Sequence, residues 1–224
     1  MYFKSRVDAG RILAAQIAKK YKDKRCAVVA LNDGGVMVAA QIALELRCVL
    51  TMLLSEPINL PREDAAVAGI SQDGSFSYNN RYSAGEIDEF VSEYYHYIEQ
   101  EKMYRMSEMH RLVGRGGLIR KDLLRGHNVI LVTDGLRDGF TLDLAMEFLK
   151  PIHVEKVIMA TPLAGIQAVD RMHILVDEIF CLSVVEDYIS TEHYYDSQDV
   201  PSHEQVVKTV REVVEHWQDE PEVT

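Results

Sequence analysis

The chain has 224 residues, 47% of them hydrophobic and 26% charged, and a formal net charge of −11. That length suits one domain of good size with room for a subsidiary lobe. The acidic surface, with no Lys/Arg run to offset it, excludes roles in binding nucleic acid or anionic membrane. The three cysteines, Cys26, Cys48 and Cys181, are scattered without C-x-x-C or zinc spacing, and read as buried thiols of a reducing compartment. The opening "MYFKSRVDAGRIL" lacks the apolar core of a signal peptide, and no apolar run approaches the ~20 residues of a membrane span. The expected location is therefore the cytoplasm.

Helical spacing of Ile12, Leu13, Ile17 and Ala18 predicts a first helix from about Ser5 to Tyr21. The apolar run Ala27–Leu31 is a predicted strand, ending at Asn32-Asp33-Gly34-Gly35, and Val36–Leu46 is the helix after it. Cys48–Leu54 reads as the next buried strand. From Ser55 to Asn80 prolines and glycines break the pattern, with short strands expected at "AAVAGI" and "SFSY". Ser83 and Glu86 form a capping box that opens a helix running to about Leu112, where "GRGG" stops it. Ile87, Val91, Tyr94 and Ile98 give that helix one apolar stripe. "NVILVT" is a strand leading into the loop Val132–Thr141, with a helix from Thr141 to Lys150. A strand at Lys156–Thr161, a helix from about Leu163 and a last strand at Glu178–Val184 follow. A final helix starts at Ser202, with Gln205 completing a second capping box, and carries Val206, Val207, Val210, Val213 and Val214.

Short strands that are apolar throughout and alternate with helices predict an α/β fold, a doubly wound, mainly parallel sheet flanked by helices. No repeat, low-complexity stretch or linker divides residues 1–224, so a single domain is expected. Residues 55–117 depart most from the alternation and are the candidate hood or inserted lobe. In such sheets ligands bind in the loops at the carboxyl ends of strands. Two loops lie there: Leu31–Val36 and Val132–Thr141. Their glycines let backbone N–H groups turn inward, and the helix after each adds partial positive charge, which together make a general anion site. Equally, the glycines serve tight turns. The candidate ligand-binding residues are Asn32, Asp33, Gly34 and Gly35 in the first loop. In the second they are Thr133, Asp134, Gly135, Leu136, Arg137, Asp138, Gly139, Phe140 and Thr141.

Five segments in order resemble the type I phosphoribosyltransferases, particularly the stand-alone phosphoribosyltransferase-like domain proteins of bacteria. "FKSRVDAGRILA" is similar to that subgroup's F-x-x-R-x-D-A-G-x-x-L-A opening, and "ALNDGGVMVAAQIALEL" to its A-L-P-R-G-G-V segment. "EDAAVAGISQDGSF", "VILVTDGLRDGFTLDLAMEFL" and "HYYDSQDVPSHEQV" resemble three further motifs of the subgroup. The resemblance implies a small phosphorylated ligand, 5-phosphoribosyl-1-diphosphate with Mg²⁺, and transfer of its ribosyl-5-phosphate to a nitrogen nucleophile. It also implies a homodimer. In the family two adjacent acids hold the ribose hydroxyls, directly or through metal; a T-G-x-T turn wraps the 5-phosphate; and the Arg of R-G-G serves the diphosphate.

The departures invert the charge of this pattern. The first acid is Thr133, leaving Asp134 as the candidate catalytic acid and possible Mg²⁺ contact; the first Thr of the turn is Asp138; the Arg of R-G-G is Asp33. The basic pair near the end of the third strand aligns with Ser55-Glu56. A carboxylate about 4 Å from a phosphate in a partly screened site costs on the order of 4 kcal/mol. Arg137 is the one new charge in the loop that would compensate. The preferred expectation is a degenerate site with weak or absent transfer and a binding or regulatory role. An active Mg²⁺-dependent transferase and an enzyme with a less anionic substrate are the alternatives.

Single residues read two ways. Asp134 is either a functional acid or a turn-former bonded to its own loop. Thr141 either donates to a phosphate or caps its helix. Asp33 and Asp138 reflect either adaptation to a cationic or hydroxyl-rich ligand or drift after loss of function. The eight histidines show no ligand spacing and read as surface or structural. The Tyr/Met-rich segment Glu93–His110 reads as a helix packed on the sheet, with surplus Tyr94, Tyr95, Tyr97, Met103, Tyr104 and Met106 available for a partner face.

Overall fold

The computed structural model describes residues 2–63, 65–113, 119, 121–198, 200–207 and 210. Helix α1 (Arg6–Tyr21) begins at Ser5, whose hydroxyl accepts the N–H of Asp8, and buries Leu13, Ile17 and Tyr21. Strand β1 (Cys26–Ala30) is buried along its whole length, as a central strand between helix layers must be. Helix α2 (Asp33–Leu46) follows at once. It starts three residues earlier than the predicted Val36, because Asn32 caps it and Gly34 and Gly35 lie in its first turn. Strand β2 (Val49–Met52) completes the first half of the sheet.

The second half contains β6 (Asn128–Val132), α4 (Phe140–Leu149), β7 (Lys156–Gly165), α5 (Ile166–Leu175) and β8 (Glu178–Val185). Strand β7 overruns the predicted helix start at Leu163. Past Ala160 it pairs with β8 and with the bridge Leu136↔Ala164, no longer with β6, and Pro162 is accommodated there.

The five-stranded sheet has the order β2-β1-β6-β7-β8 and is parallel throughout. Side chains alternate between two cores. Val28, Ala30, Ile130 and Val132 face α1 and α2, together with Val206, Val207 and Val210 of the C-terminal segment. Val29, Leu31, Val129 and Leu131 face α4 and α5. The chain reverses direction across the sheet between β1 and β6, so the carboxyl ends of these neighbours form the topological switch point.

Between the halves, β3 (Ser55–Ile58), β4 (Ala68–Ser71) and β5 (Phe76–Tyr78) form a small antiparallel sheet in the order β3-β4-β5. Two of these strands match the expected short strands; β3, with Pro57 inside it, was not predicted. Helix α3 (Ala84–Val113) packs Ile98 against Leu60 and Val67, and its backbone is non-helical at Tyr94. Its capping box forms: Glu86 Oε2 accepts the Ser83 N–H at 2.8 Å, and Ser83 Oγ accepts the Glu86 N–H. Tyr95, Met103 and Tyr104 are exposed, while Tyr94 and Met106 pack inward. The small sheet rests on α4 through Gly69, where a Cβ would lie 3.1 Å from Phe140 Cζ. The second capping box also forms, with Ser202 N–H donating to Gln205 Oε1 at 3.1 Å. The predicted stop at residues 114–117, and Val213 and Val214, lie outside the described residues. Among the described residues no helix is long and apolar enough to cross a membrane.

Candidate ligand site at the switch point

Asn32 joins the two loops. Its Oδ1 accepts the Gly35 N–H at 2.9 Å and lies 3.1 Å from the Thr133 hydroxyl, and its Nδ2 donates to Asp134 Oδ1 at 2.6 Å. The other oxygen of Asp134 accepts from Arg6 Nε at 2.6 Å, with both side chains 4% exposed. The Arg6 guanidinium also stacks 4.5 Å from the centre of the Tyr195 ring, and the Tyr195 hydroxyl donates to the Asp134 carbonyl at 2.6 Å. Burial, then the Asp134 charge, push the Tyr195 hydroxyl up, partly offset by Arg6. Arg6 Nη1 is buried without a hydrogen-bond partner among the described residues. Asp134 is thus an internal ion-pair partner, with both carboxylate oxygens engaged.

The glycines of the two loops have packing causes. A Cβ at Gly34 would collide with the Asp134 carboxylate, and one at Gly35 would lie 2.5 Å from Asn32 Oδ1. Gly135 is covered by Tyr188 and Thr191, whose hydroxyls are 2.7 Å apart. Burial pushes the Tyr188 hydroxyl up to about 12. Gly139 sits at the N-cap of α4 with φ +90°, the left-handed region that glycine enters freely.

The start of α4 rules out the reading of Thr141 as its cap. The helix begins at Phe140, and it is the Asp138 carboxylate that accepts the Phe140 N–H at 3.0 Å. A negative group therefore already stands at the helix terminus that attracts anions. Thr141 lies within the helix and its hydroxyl has no partner among the described residues. Arg137 turns away from the loop, donating to the Ile189 carbonyl at 2.8 Å, and Leu136 is buried. Asp33 faces His203, whose Nδ1 lies 2.8 and 3.0 Å from its two oxygens. Of the aligned Ser55-Glu56 pair, Ser55 reaches the site and Glu56 faces Arg105 of α3 at 3.6 Å.

Between the loops and the small sheet lies a cleft of about 210 Å³. Leu31, Pro57, Phe140 and Leu144 form its apolar walls, and Asn32, Ser55, Thr133, Gly135 and Thr141 its polar lining; among the described residues no charged side chain faces it. Mg²⁺ demands near-octahedral oxygen ligands and binds through carboxylates and substrate phosphates. Asp134 is 3% exposed with both oxygens already hydrogen-bonded, and no carboxylate among the described residues lines the cleft, so the residues present do not supply the ligands that ion takes. Beyond Asp138 lies a second cleft of about 430 Å³, in which buried Asp143 is held by Arg171 Nε at 2.6 Å and Asn80 Nδ2 at 2.8 Å.

Arg6, Tyr188, Tyr195 and His203 were not among the predicted site residues. Arg6, Tyr195 and His203 stand in the two terminal motifs, the available signal; nothing local names their partners.

A parallel sheet with its glycine loops at the switch point under a small antiparallel sheet defines a phosphoribosyltransferase-like architecture. The model of the phosphoribosyl transferase domain matches residues 3–198, and the chain belongs to this family. It is 27% identical over 207 residues to a Mycobacterium tuberculosis protein named "Putative phosphoribosyl transferase", in each of two strains. The match covers 92% of this chain and 45% of that protein, so the chain spans about half the length of these relatives. The crystal structure of TT1426 from Thermus thermophilus superposes with a TM-score of 0.68 at 22% identity, covering 94% of this chain and 98% of that one, which shows the same fold.

Proposed function

We propose that this is a phosphoribosyltransferase-fold binding protein in which the 5-phosphoribosyl-1-diphosphate site is degenerate, with phosphoribosyl transfer weak or absent. Asp138 carries the reading: its carboxylate satisfies the N–H group at the start of α4 where a ligand phosphate would bind. A phosphate placed beside it meets an acceptor-only group of like charge. Asp134 and Asp33 add to this, since each is turned to an internal partner, Arg6 and His203. The small sheet β3-β4-β5 serves as the hood over the cleft.

Calorimetric titration of 5-phosphoribosyl-1-diphosphate with Mg²⁺ tests the proposal. No binding is expected at micromolar ligand; micromolar affinity overturns it and favours the active transferase. The double change Asp33→Arg with Asp138→Thr restores the family's charges and is expected to create or strengthen binding. If it does nothing, charge is not the obstacle.

A further inference from the structure

We propose that the cleft at the switch point binds a small uncharged ring compound, of nucleoside size or less, that carries hydroxyl groups and no phosphate. This rests on the reading above that the phosphate site is degenerate, and names what replaces the anion.

Three observations converge. The walls contributed by Leu31, Pro57, Phe140 and Leu144 are apolar and come from both the main sheet's layer and the small sheet. A ring buries its faces well against such surfaces, and small-molecule sites are mostly apolar with a few placed polar groups. Two of the polar groups, the hydroxyls of Ser55 and Thr141, are half-buried and have no partner among the described residues. Each offers one O–H donor and two acceptor lone pairs, so they match ligand hydroxyls or ring nitrogens in either sense. A ligand hydroxyl placed against them exchanges for water at little cost, and the pair fixes its orientation.

The second observation is electrical. Among the described residues no charged side chain lines the cleft, and the nearby charges are paired internally, Asp134 with Arg6 Nε, Asp138 with the Phe140 N–H and Asp33 with His203, leaving Arg6 Nη1 buried outside the lining. An ionised ligand entering this space loses hydration and finds no counter-charge, whereas a neutral one loses little.

The third is size. The cleft measures about 210 Å³. That is below the ~300 Å³ lower end for drug-sized ligands, and suits one or two rings with their hydroxyls.

The test pairs neutral compounds with their own 5′-phosphates: uridine with uridine 5′-monophosphate, adenosine with adenosine 5′-monophosphate, and ribose with ribose 5-phosphate. Each is titrated against the full chain by ligand-observed NMR without added metal. The expected result is that at least one neutral member binds, and binds tenfold or more tightly than its phosphate. Thr141→Val and Ser55→Ala are each expected to weaken that binding several-fold, with unfolding midpoints showing the fold intact. The proposal is overturned if no neutral member binds at millimolar concentration, or if the phosphates bind as tightly. The calorimetric titration of 5-phosphoribosyl-1-diphosphate separates the two failures. Tight binding there removes the parent reading, whereas silence in both experiments removes this inference alone.

Discussion

Arg6 Nε and Asp134 Oδ2 lie 2.6 Å apart in a nearly water-free setting, joining the first turn of α1 to the end of β6 across 128 residues of chain. Removing one member of such a pair leaves the other charge buried and uncompensated, which costs about 3–5 kcal/mol. Arg6→Met and Asp134→Leu are therefore each expected to lower urea-unfolding stability strongly. Arg6→Met combined with Asp134→Leu is expected to recover a large part of the loss. A double change as costly as the sum of the singles would show that the two residues act independently.

The glycines separate into those with a tertiary cause and those without. Gly34→Ala drives a Cβ into the Asp134 carboxylate, and Gly139→Ala combines φ +90° with a Cβ 2.9 Å from that of Arg171. The left-handed conformation alone costs about 1–2 kcal/mol, so both variants are expected to melt earlier. Gly85, in α3 with nothing within 4 Å, is the control. Gly85→Ala is expected to be neutral or to stabilise by up to about 1 kcal/mol.

Lys20 Nζ and Tyr21 Oη both donate to Glu178 Oε2 at 2.6 Å, tying the end of α1 to the start of β8. Burial alone would raise the Glu178 carboxyl, but these two bonds outweigh it and hold the group below its usual range. A depressed carboxylate stabilises the fold above its unfolded value, and that contribution disappears as pH falls through the folded value. Glu178→Gln is expected to cost up to about 1 kcal/mol at neutral pH, because Lys20 is half exposed. It should also flatten the acid limb of stability below the usual glutamate range. Unfolding midpoints across that range, for wild type and variant, check the sign.

Burial pushes the Cys48 thiol up to about 12 and raises Cys26 and Cys181 as well. The thiolate is the nucleophile, so at about pH 8 Cys48 carries on the order of ten-thousandfold less of it than thiol. Alkylation of the native protein is expected to be slow at all three positions and complete only after denaturation. Only Cys26 is fully buried, Cys48 and Cys181 being partly exposed, so rapid native labelling of Cys48 would show that its thiol is not held protonated.

Asp138→Ala removes the group that accepts the Phe140 N–H and is expected to cost about 0.5–2 kcal/mol, the range for a lost N-cap. Asp138→Asn keeps an acceptor and should cost less. Comparing the two by thermal unfolding separates hydrogen bonding from charge.

The strands of the main sheet were legible because they are apolar on both faces, a pattern that survives without knowledge of neighbours. Both capping boxes were legible for a related reason: Ser83 with Glu86 and Ser202 with Gln205 are complete within four residues. Strand β3 was not, since "SEPI" has no apolar run and carries a proline. The starts of α2 and α4 were misplaced because Gly34, Gly35 and Gly139 look like loop. Their helical or capping role follows in part from Asp134 and Arg171, which approach only in the folded chain, while the Asn32 cap is local. At the site, the positions of the loops and the inverted charges could be read directly. The partners of those charges could not: Arg6 and His203 lie 128 and 170 residues from the acids they meet.

The Asp138 carboxylate can also be viewed as a competitor. It is attached two residues from the N–H it occupies, so it never diffuses away. Short tethers hold a group at effective concentrations of millimolar or more. A free phosphate competes with that resident for the Phe140 N–H. One residue thus acts on this helix terminus through its connectivity as well as its charge.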